Sequence, residues 1–300
     1  VGGVYDLPVR DLAPYLSTYL HATVNPEDIA SGGTTPGQDI VAASPPNGLI
    51  IGEANPIGNT LDVATNSVGV NFNLAREAFV GAFSQGAQVL VMNQSASITS
   101  FRQLVTTPGL SLVGTCQGQP DLFEHMLDAI WGATIKYICG FTNADAVTQG
   151  FVGSDAALEV NALPNVGPLL VGGVAKALAQ SQPSEKGISF QHDLVGSLTP
   201  AKAAKEVPPK TKAEKAELVV AEEAIKAANV IIFMPSATPE SEFQIVKDAV
   251  QWAYTQTAFK NQLLSQGIGD RLISGPSAKA VYEKVQNKIG VLTTILNSGP

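Results

Sequence analysis

Positive charge is scarce in this sequence. Its 300 residues hold 18 Lys and Arg against 26 Asp and Glu, a net charge of −8. Nucleic acid and anionic membrane surfaces both call for clustered Lys and Arg, so neither is an expected partner. A local pocket lined by backbone dipoles can still bind an anion. Cysteine is scarcer still. Cys116 and Cys139 are too few for a disulfide scaffold and lack the spacing of a zinc site. One bridge in an oxidising compartment stays open. The three histidines, His21, His125 and His192, are scattered, so no His/Cys/Asp cluster has metal spacing. There is no P-loop and no complete G-x-G-x-x-G after a strand, and no cofactor is expected. No apolar run approaches the length of a membrane span. No basic-then-apolar leader stands at Val1-Gly2-Gly3, which reads as a mature or trimmed start. Low-complexity tracts and internal repeats are also lacking.

What the chain does have is 45% hydrophobic residues, enough to fill a core in each of two lobes, with 28 Gly and 19 Pro for turns. Helical spacing runs from Asp6 to Leu20. Gln38–Ala43 reads as a short helix, Leu49–Ile51 as a buried strand ending at Gly52, and 56–75 as loop. Ala87–Met92 is apolar throughout, as a strand covered on both faces would be. A helix over Ser100–Val105 leads to strand Leu110–Val113, turn Gly114–Pro120, helix Asp121–Trp131 and strand Ile135–Cys139. That is a β-α-β unit with parallel strands. A helix over Asn143–Val152, a strand over Ala156–Glu159 and a helix over Gly167–Ala179 follow, and 180–211 reads as irregular. Lys212–Ala228 is helical, and Lys202–Lys215 reads as a solvated face. Then come strand Val230–Phe233, helix Pro239–Thr255 capped by Ser236 or Thr238, helix Phe259–Gln266 and helix Ala278–Leu296. Alternating strands and helices indicate an α/β class with open parallel sheets, whose ligands sit at strand carboxyl ends beside helix N-termini.

Six segments carry a family resemblance, in order and at matching intervals. They are Gly2-Gly3-Val4-Tyr5-Asp6 with Leu12-Ala13-Pro14-Tyr15-Leu16; Ala30-Ser31-Gly32-Gly33 with Ala42 and Pro46-Asn47-Gly48; Gly114-Thr115-Cys116-Gln117-Gly118; Gly140-Phe141; Gly153-Ser154-Asp155; and Pro235-Ser236-Ala237-Thr238-Pro239. Together the sequence resembles the substrate-binding proteins of tripartite tricarboxylate transporters, the Bug-type extracytoplasmic solute receptors, over nearly its whole length. It departs from them at three places. The first strand and the Pro of the first loop would precede Val1, Cys116 stands where a small or hydroxyl side chain is usual, and 180–211 does not follow the pattern.

The resemblance implies a type II periplasmic-binding-protein fold: two lobes, each a mainly parallel sheet flanked by helices, joined by a two-strand hinge. Lobe I would take 1–90 and 212–300, and lobe II 91–211. It also implies a small organic carboxylate as ligand and membrane transporter subunits as partners. The protein would be a monomer that does no chemistry, in the periplasm or on the surface of a single-membrane host as a lipoprotein. The carboxylate would lie on two loops, Gly2–Asp6 and Gly114–Asp121. Each opens a helix whose first N–H groups lack partners and whose dipole favours an anion. Glycine lets the backbone come close.

The candidate ligand contacts are Gly2, Gly3, Val4, Tyr5, Asp6, Ser31, Gly32, Glu53, Asn55, Thr115, Cys116, Gln117, Phe141 and Asp155. Plainer readings stand beside several of them. Asp6 also suits a helix cap, Ser31-Gly32 and Glu53/Asn55 also suit bare loops, Phe141 also suits a core, and Asp155 also suits a structural role. Few charges near the loops and Phe141 favour a ligand with one exposed carboxylate and a less polar body.

Two rivals come from other classes. Gly114-Thr115-Cys116-Gln117-Gly118 fits a nucleophile elbow, and His192-Asp193 lie downstream in a permissible triad order, so a cysteine hydrolase is the sharpest rival. His125 stands too close in the following helix. A Cys116–Cys139 disulfide is expected, because these residues end successive strands of one β-α-β unit, and it would end that reading. A ligand sensor for a membrane receptor would keep the fold and change the job.

Overall fold

The structure, a computed structural model, describes all residues except 1–5, 30–34, 65–70, 85, 115–121, 142, 155, 184–187, 189, 195, 228 and 299–300. In chain order the elements begin with α1 (Asp6–Leu20), α2 (Thr35–Ala42), β1 (Gly52–Ala54), α3 (Pro56–Ala64), β2 (Ala78–Ser84) and β3 (Gln88–Asn93). Next come α4 (Phe101–Thr106), β4 (Leu110–Val113), α5 (Leu122–Trp131), β5 (Ile135–Ile138), α6 (Ala144–Gly153), β6 (Leu158–Ala162), α7 (Leu163–Val171) and β7 (Ala175–Gln180). The chain then forms α8 (Pro200–Glu206), α9 (Lys212–Lys226), β8 (Asn229–Met234), α10 (Glu240–Ala253), α11 (Thr257–Ser265), β9 (Leu272–Ser274), α12 (Gly275–Gln286) and α13 (Ile289–Leu296).

Two compact units result. The first comprises 1–85 and 227–289, the second 86–226 and 290–300. The chain therefore passes from one to the other three times, where two passages were expected. Helix α9 and the last eleven residues belong with the second unit rather than with lobe I. The reason is local: α9 packs along α5, one of the most extensive helix contacts in that unit.

The first unit is organised by β8. Its run Val230-Ile231-Ile232-Phe233-Met234 is buried throughout, and the period of two sends alternate residues to opposite faces. Val230, Ile232 and Met234 pack with Leu12 and Leu16 of α1, Val246 and Val250 of α10, and Phe259 and Leu263 of α11. Ile231 and Phe233 face Ala54, Leu74, Phe79, Ala82, Ala278 and Tyr282. The sheet order is β1-β8-β2-β9. Among the described residues every pairing in it is antiparallel, so the expected parallel direction fails here. That expectation came from strands alternating with helices, and it overlooked β2 and β9.

The second sheet has the order β5-β4-β6-β3-β7. Strand β4 is parallel to β5 and β6, as the β-α-β reading required, and β3 runs antiparallel to β6 and β7. Trp131 closes the end of α5 by donating from Nε1 to the Val207 carbonyl at 3.0 Å.

Several other boundaries differ. The first short strand is Gly52–Ala54, and Leu49 is 82% exposed. The stretch read as loop from 56 contains α3, whose N-terminus is capped by Asn55. The strand expected at Ala156–Glu159 spans Leu158–Ala162. The helix expected over Gly167–Ala179 is α7 followed by β7. Gly173, at φ 65, breaks the helix, and the Ala-rich Ala175–Gln180 is drawn into the sheet by β3 despite its helical propensity. The stretch read as irregular contains α8. Pro239, rather than Ser236 or Thr238, occupies the N-cap of α10. The final helix is broken into α12 and α13, with Asn287 closing the first.

Candidate functional site

In the first unit the described candidate residues begin at the head of α1. Asp6 stands at the head of this 15-residue helix, and its Oδ1 lies 2.6 Å from Nε of Arg10, one turn on. Arg10 also pairs with Asp28. Glu53 is the middle residue of β1, opposite Ile232 of β8. Its Oε1 is shut off from solvent and has no hydrogen-bond partner among the described residues. Burial first, and the negative charge of Asp6 second, push the Glu53 carboxyl up to about 8. The two acids named from the sequence are thus brought into each other's field.

Asn55 has a different task. Its Oδ1 accepts from the backbone N–H groups of Ile57 at 3.0 Å and Gly58 at 3.2 Å, so this oxygen satisfies orphan donors of α3. The segment Pro235–Pro239 is tied down by Glu77, whose Oε2 accepts from the Ser236 N–H at 2.8 Å. The Thr238 N–H donates to the Pro235 carbonyl at 2.9 Å and closes the turn. Sequence reasoning missed both Glu77 and a buried polar network. In that network Tyr282 donates to Asn59 Oδ1 at 2.6 Å, and Asn59 donates to Gln38 Oε1 at 3.1 Å. No local pattern announces it, because its members lie up to 244 residues apart.

In the second unit Gly140 follows β5 at φ 105, a conformation that glycine alone adopts without strain. The Phe141 ring lies directly on Gly150 of α6, and a Cβ at Gly150 would come within 2.4 Å of it. Cys139 is disulfide-bonded, and no cysteine among the described residues is free. Helix α6 is capped by Asn143, whose Oδ1 accepts from the Ala146 N–H at 2.9 Å. Behind it Glu159 is fully buried. Its Oε1 accepts from Thr148 Oγ1 at 2.6 Å and Asn161 Nδ2 at 2.9 Å, and burial holds the carboxyl above its usual range. Sequence reading missed this cluster too, since a charged residue inside an apolar strand looks like a surface position.

His125 is 4% exposed, and its ring stacks on Tyr137 with centroids 5.9 Å apart. Burial lowers its pKa to about 4, opposed by a hydrogen bond to the Leu296 backbone. Such an imidazole is neutral and inaccessible to a substrate.

Gly2, Gly3, Val4, Tyr5, Ser31, Gly32, Thr115, Cys116, Gln117 and Asp155 lie outside the described residues. So does the side chain of His192. Among the described residues no group of three or more His, Cys, Asp or Glu is placed to hold a metal, and no helix is long and apolar enough to cross a membrane.

Two sheets with flanking helices, in units between which the chain passes repeatedly, make up the fold of the periplasmic binding proteins. Solved structures share that fold. The periplasmic binding protein BugD superposes with a TM-score of 0.73 at 15% identity, over 100% of this chain and 94% of its own. MatC from Rhodopseudomonas palustris, solved with bound malate, gives a TM-score of 0.73 at 16% identity over 99% and 95%. The R. palustris protein Rpa4515, solved with adipate, gives a TM-score of 0.75 at 16% identity over 99% and 93%. No family model matches the sequence, and no curated protein does.

Proposed function

We propose that the chain is an extracytoplasmic solute-binding protein of the tripartite tricarboxylate transporter type, which captures a small organic carboxylate for membrane transporter subunits and transforms nothing. The observation that carries this reading is the likeness in fold, over 99–100% of this chain, to the periplasmic binding protein BugD and to MatC and Rpa4515, solved with malate and with adipate. The six ordered segments of the sequence support it independently. The loops that open α1 and α5 would hold a carboxylate through backbone N–H groups, and Asp6 and Glu53 would border the first of them.

A thermal-shift panel of small acids and their amides tests the reading. Malate or adipate at a hundred times its dissociation constant is expected to stabilise the protein by about 2.7 kcal/mol. The matching diamides are expected to do nothing, because they lack the charge that the helix N-termini favour. A panel in which no acid raises the melting temperature would overturn the proposal.

The hydrolase reading has no observation in its favour. A bonded Cys139 and an enclosed His125 both weigh against it. We propose Cys116 as the partner of Cys139. Thiol titration of the unfolded, unreduced protein is then expected to find no free thiol, whereas two would return Cys116 to consideration as a nucleophile.

A further inference from the structure

Glu53 differs from most acidic groups of the first unit in what its oxygens receive; Asp11 also has an enclosed oxygen without a partner among the described residues, Oδ2, but its Oδ1 accepts from Gln262 Nε2. Asp6 is paired with Arg10, and Asp28 with the same guanidinium. Asp39 accepts from the Asn71 backbone N–H at 3.0 Å and from its Nδ2 at 2.8 Å. Asp62 accepts from Thr35, and Glu77 from the Ser236 N–H. Oε1 of Glu53 is enclosed and accepts from no group among the described residues.

Its surroundings explain why no partner arrives. Across the sheet β8 presents Ile231, Ile232 and Phe233. Helix α2, which packs on β1, carries Asp39, whose oxygens are already taken by Asn71. The charge facing Glu53 is that of Asp6 on α1, and the cation on that helix, Arg10, is engaged by Asp6 and Asp28. An ionised Glu53 here would be a second negative charge without a counter-ion. A neutral one is a hydrogen-bond donor in want of an acceptor, and a carboxylate is an acceptor only.

We infer that Glu53 is a specificity residue that meets the bound solute as a neutral carboxylic acid, its Oε1 hydroxyl donating to a carboxylate oxygen of that solute. This rests on the carboxylate-binding reading above. An O–H···O⁻ bond of this kind is short and charge-assisted. It also links binding to pH. Burial and Asp6 hold Glu53 protonated up to about 8. Below that value the acid is ready to donate. Above it a proton must return before the anion can bind, so affinity falls about tenfold per pH unit.

Calorimetric titration of the whole chain with malate and with adipate from pH 6 to 9.5 tests this. Wild type is expected to bind evenly from pH 6 to 7 and to weaken about tenfold per unit above 8. E53Q, whose amide donates without titrating, is expected to bind more weakly at pH 7 and to show no fall above 8. E53A is expected to lose at least about tenfold at pH 7, the scale of one lost hydrogen bond to a charged group. A flat wild-type profile, the same fall in E53Q, or wild-type affinity in E53A would overturn the inference while leaving carboxylate binding intact. If no acid binds at all, the functional reading itself fails and this inference with it. Infrared difference spectra between pH 7 and 9 separate the proton from the ligand. A protonated-carboxyl band lost over that interval in wild type and missing from E53Q is expected, and its absence from wild type would refute a neutral Glu53.

Discussion

Gly275→Ala is expected to destabilise the protein by about 4 kcal/mol or more, enough to leave little folded material. Gly275 opens α12 directly after β9, and Ser274 before it caps the helix through Oγ, which accepts from the Ser277 N–H. A Cβ on Gly275 would stand 1.9 Å from the Phe79 carbonyl oxygen, 2.9 Å from its carbon and 3.3 Å from the Val80 oxygen. These atoms are backbone of β2, fixed on one side by β8 and on the other by β9, with Gly81 opposite Ser274. No rotamer change relieves the clash. Either the sheet or the start of α12 has to move, and Phe79, Ala278 and Tyr282 of the core beneath move with it. Gly290→Ala is the control. A Cβ there meets nothing within 4 Å, and the residue lies in a helix, so the change is expected to be neutral or to stabilise by about 0.5 kcal/mol. Urea denaturation of both variants, followed by circular dichroism, measures the difference. Similar midpoints for the two would show that β2 and α12 do not meet as described.

That contact also shows where the sequence stopped being legible. Helix α1 was readable to both ends, because its apolar residues keep a helical period and Asp6 and Pro8 mark its start. The β4-α5-β5 unit was readable because short strands and an amphipathic helix are separated by plain breakers, Pro108-Gly109 and Gly132 among them. Strand β2 was not. Ala78-Phe-Val-Gly-Ala-Phe-Ser84 is short, carries an interior glycine and shows no alternation, since both its faces are covered. Strand β7 reads as helix by composition and is a strand only because β3 lies beside it. The site divides in the same way. The helix-opening position of Asp6 follows from local pattern, whereas Glu53, expected just after a strand, is the middle residue of β1. That Glu53 lies in the field of Asp6, 47 residues away in sequence, depends on how α1 and β1 pack. The capping role of Asn55 was likewise hidden, because α3 had been read as loop.

Acid is expected to weaken the second unit through one imidazole. His125 is enclosed in α5, stacked on Tyr137 and hydrogen-bonded to the Leu296 backbone. Its folded pKa is lowered to about 4, whereas an unfolded chain takes up the proton near 6.5. Between those values the unfolded state binds more protons than the folded state, so stability rises with pH across the window and is lost as pH falls from 6.5 to 4. Below about 4 both states are protonated and this contribution stops changing. The interval corresponds to about 3 kcal/mol for His125 alone. Glu159 acts in the opposite sense. Its carboxyl is held above 4.5, so its contribution falls as pH rises above that value. A pH profile of wild type therefore mixes the two. Substituting His125 by Phe keeps an aromatic face against Tyr137 and removes the titrating group. The difference in unfolding free energy between wild type and H125F, followed from pH 7 to pH 4, then isolates the imidazole. Wild type is expected to lose about 3 kcal/mol relative to the variant over that range. A difference independent of pH would mean that His125 takes up its proton freely in the folded protein. It would then be open to solvent, and the argument that it cannot act as a general base would have to be withdrawn.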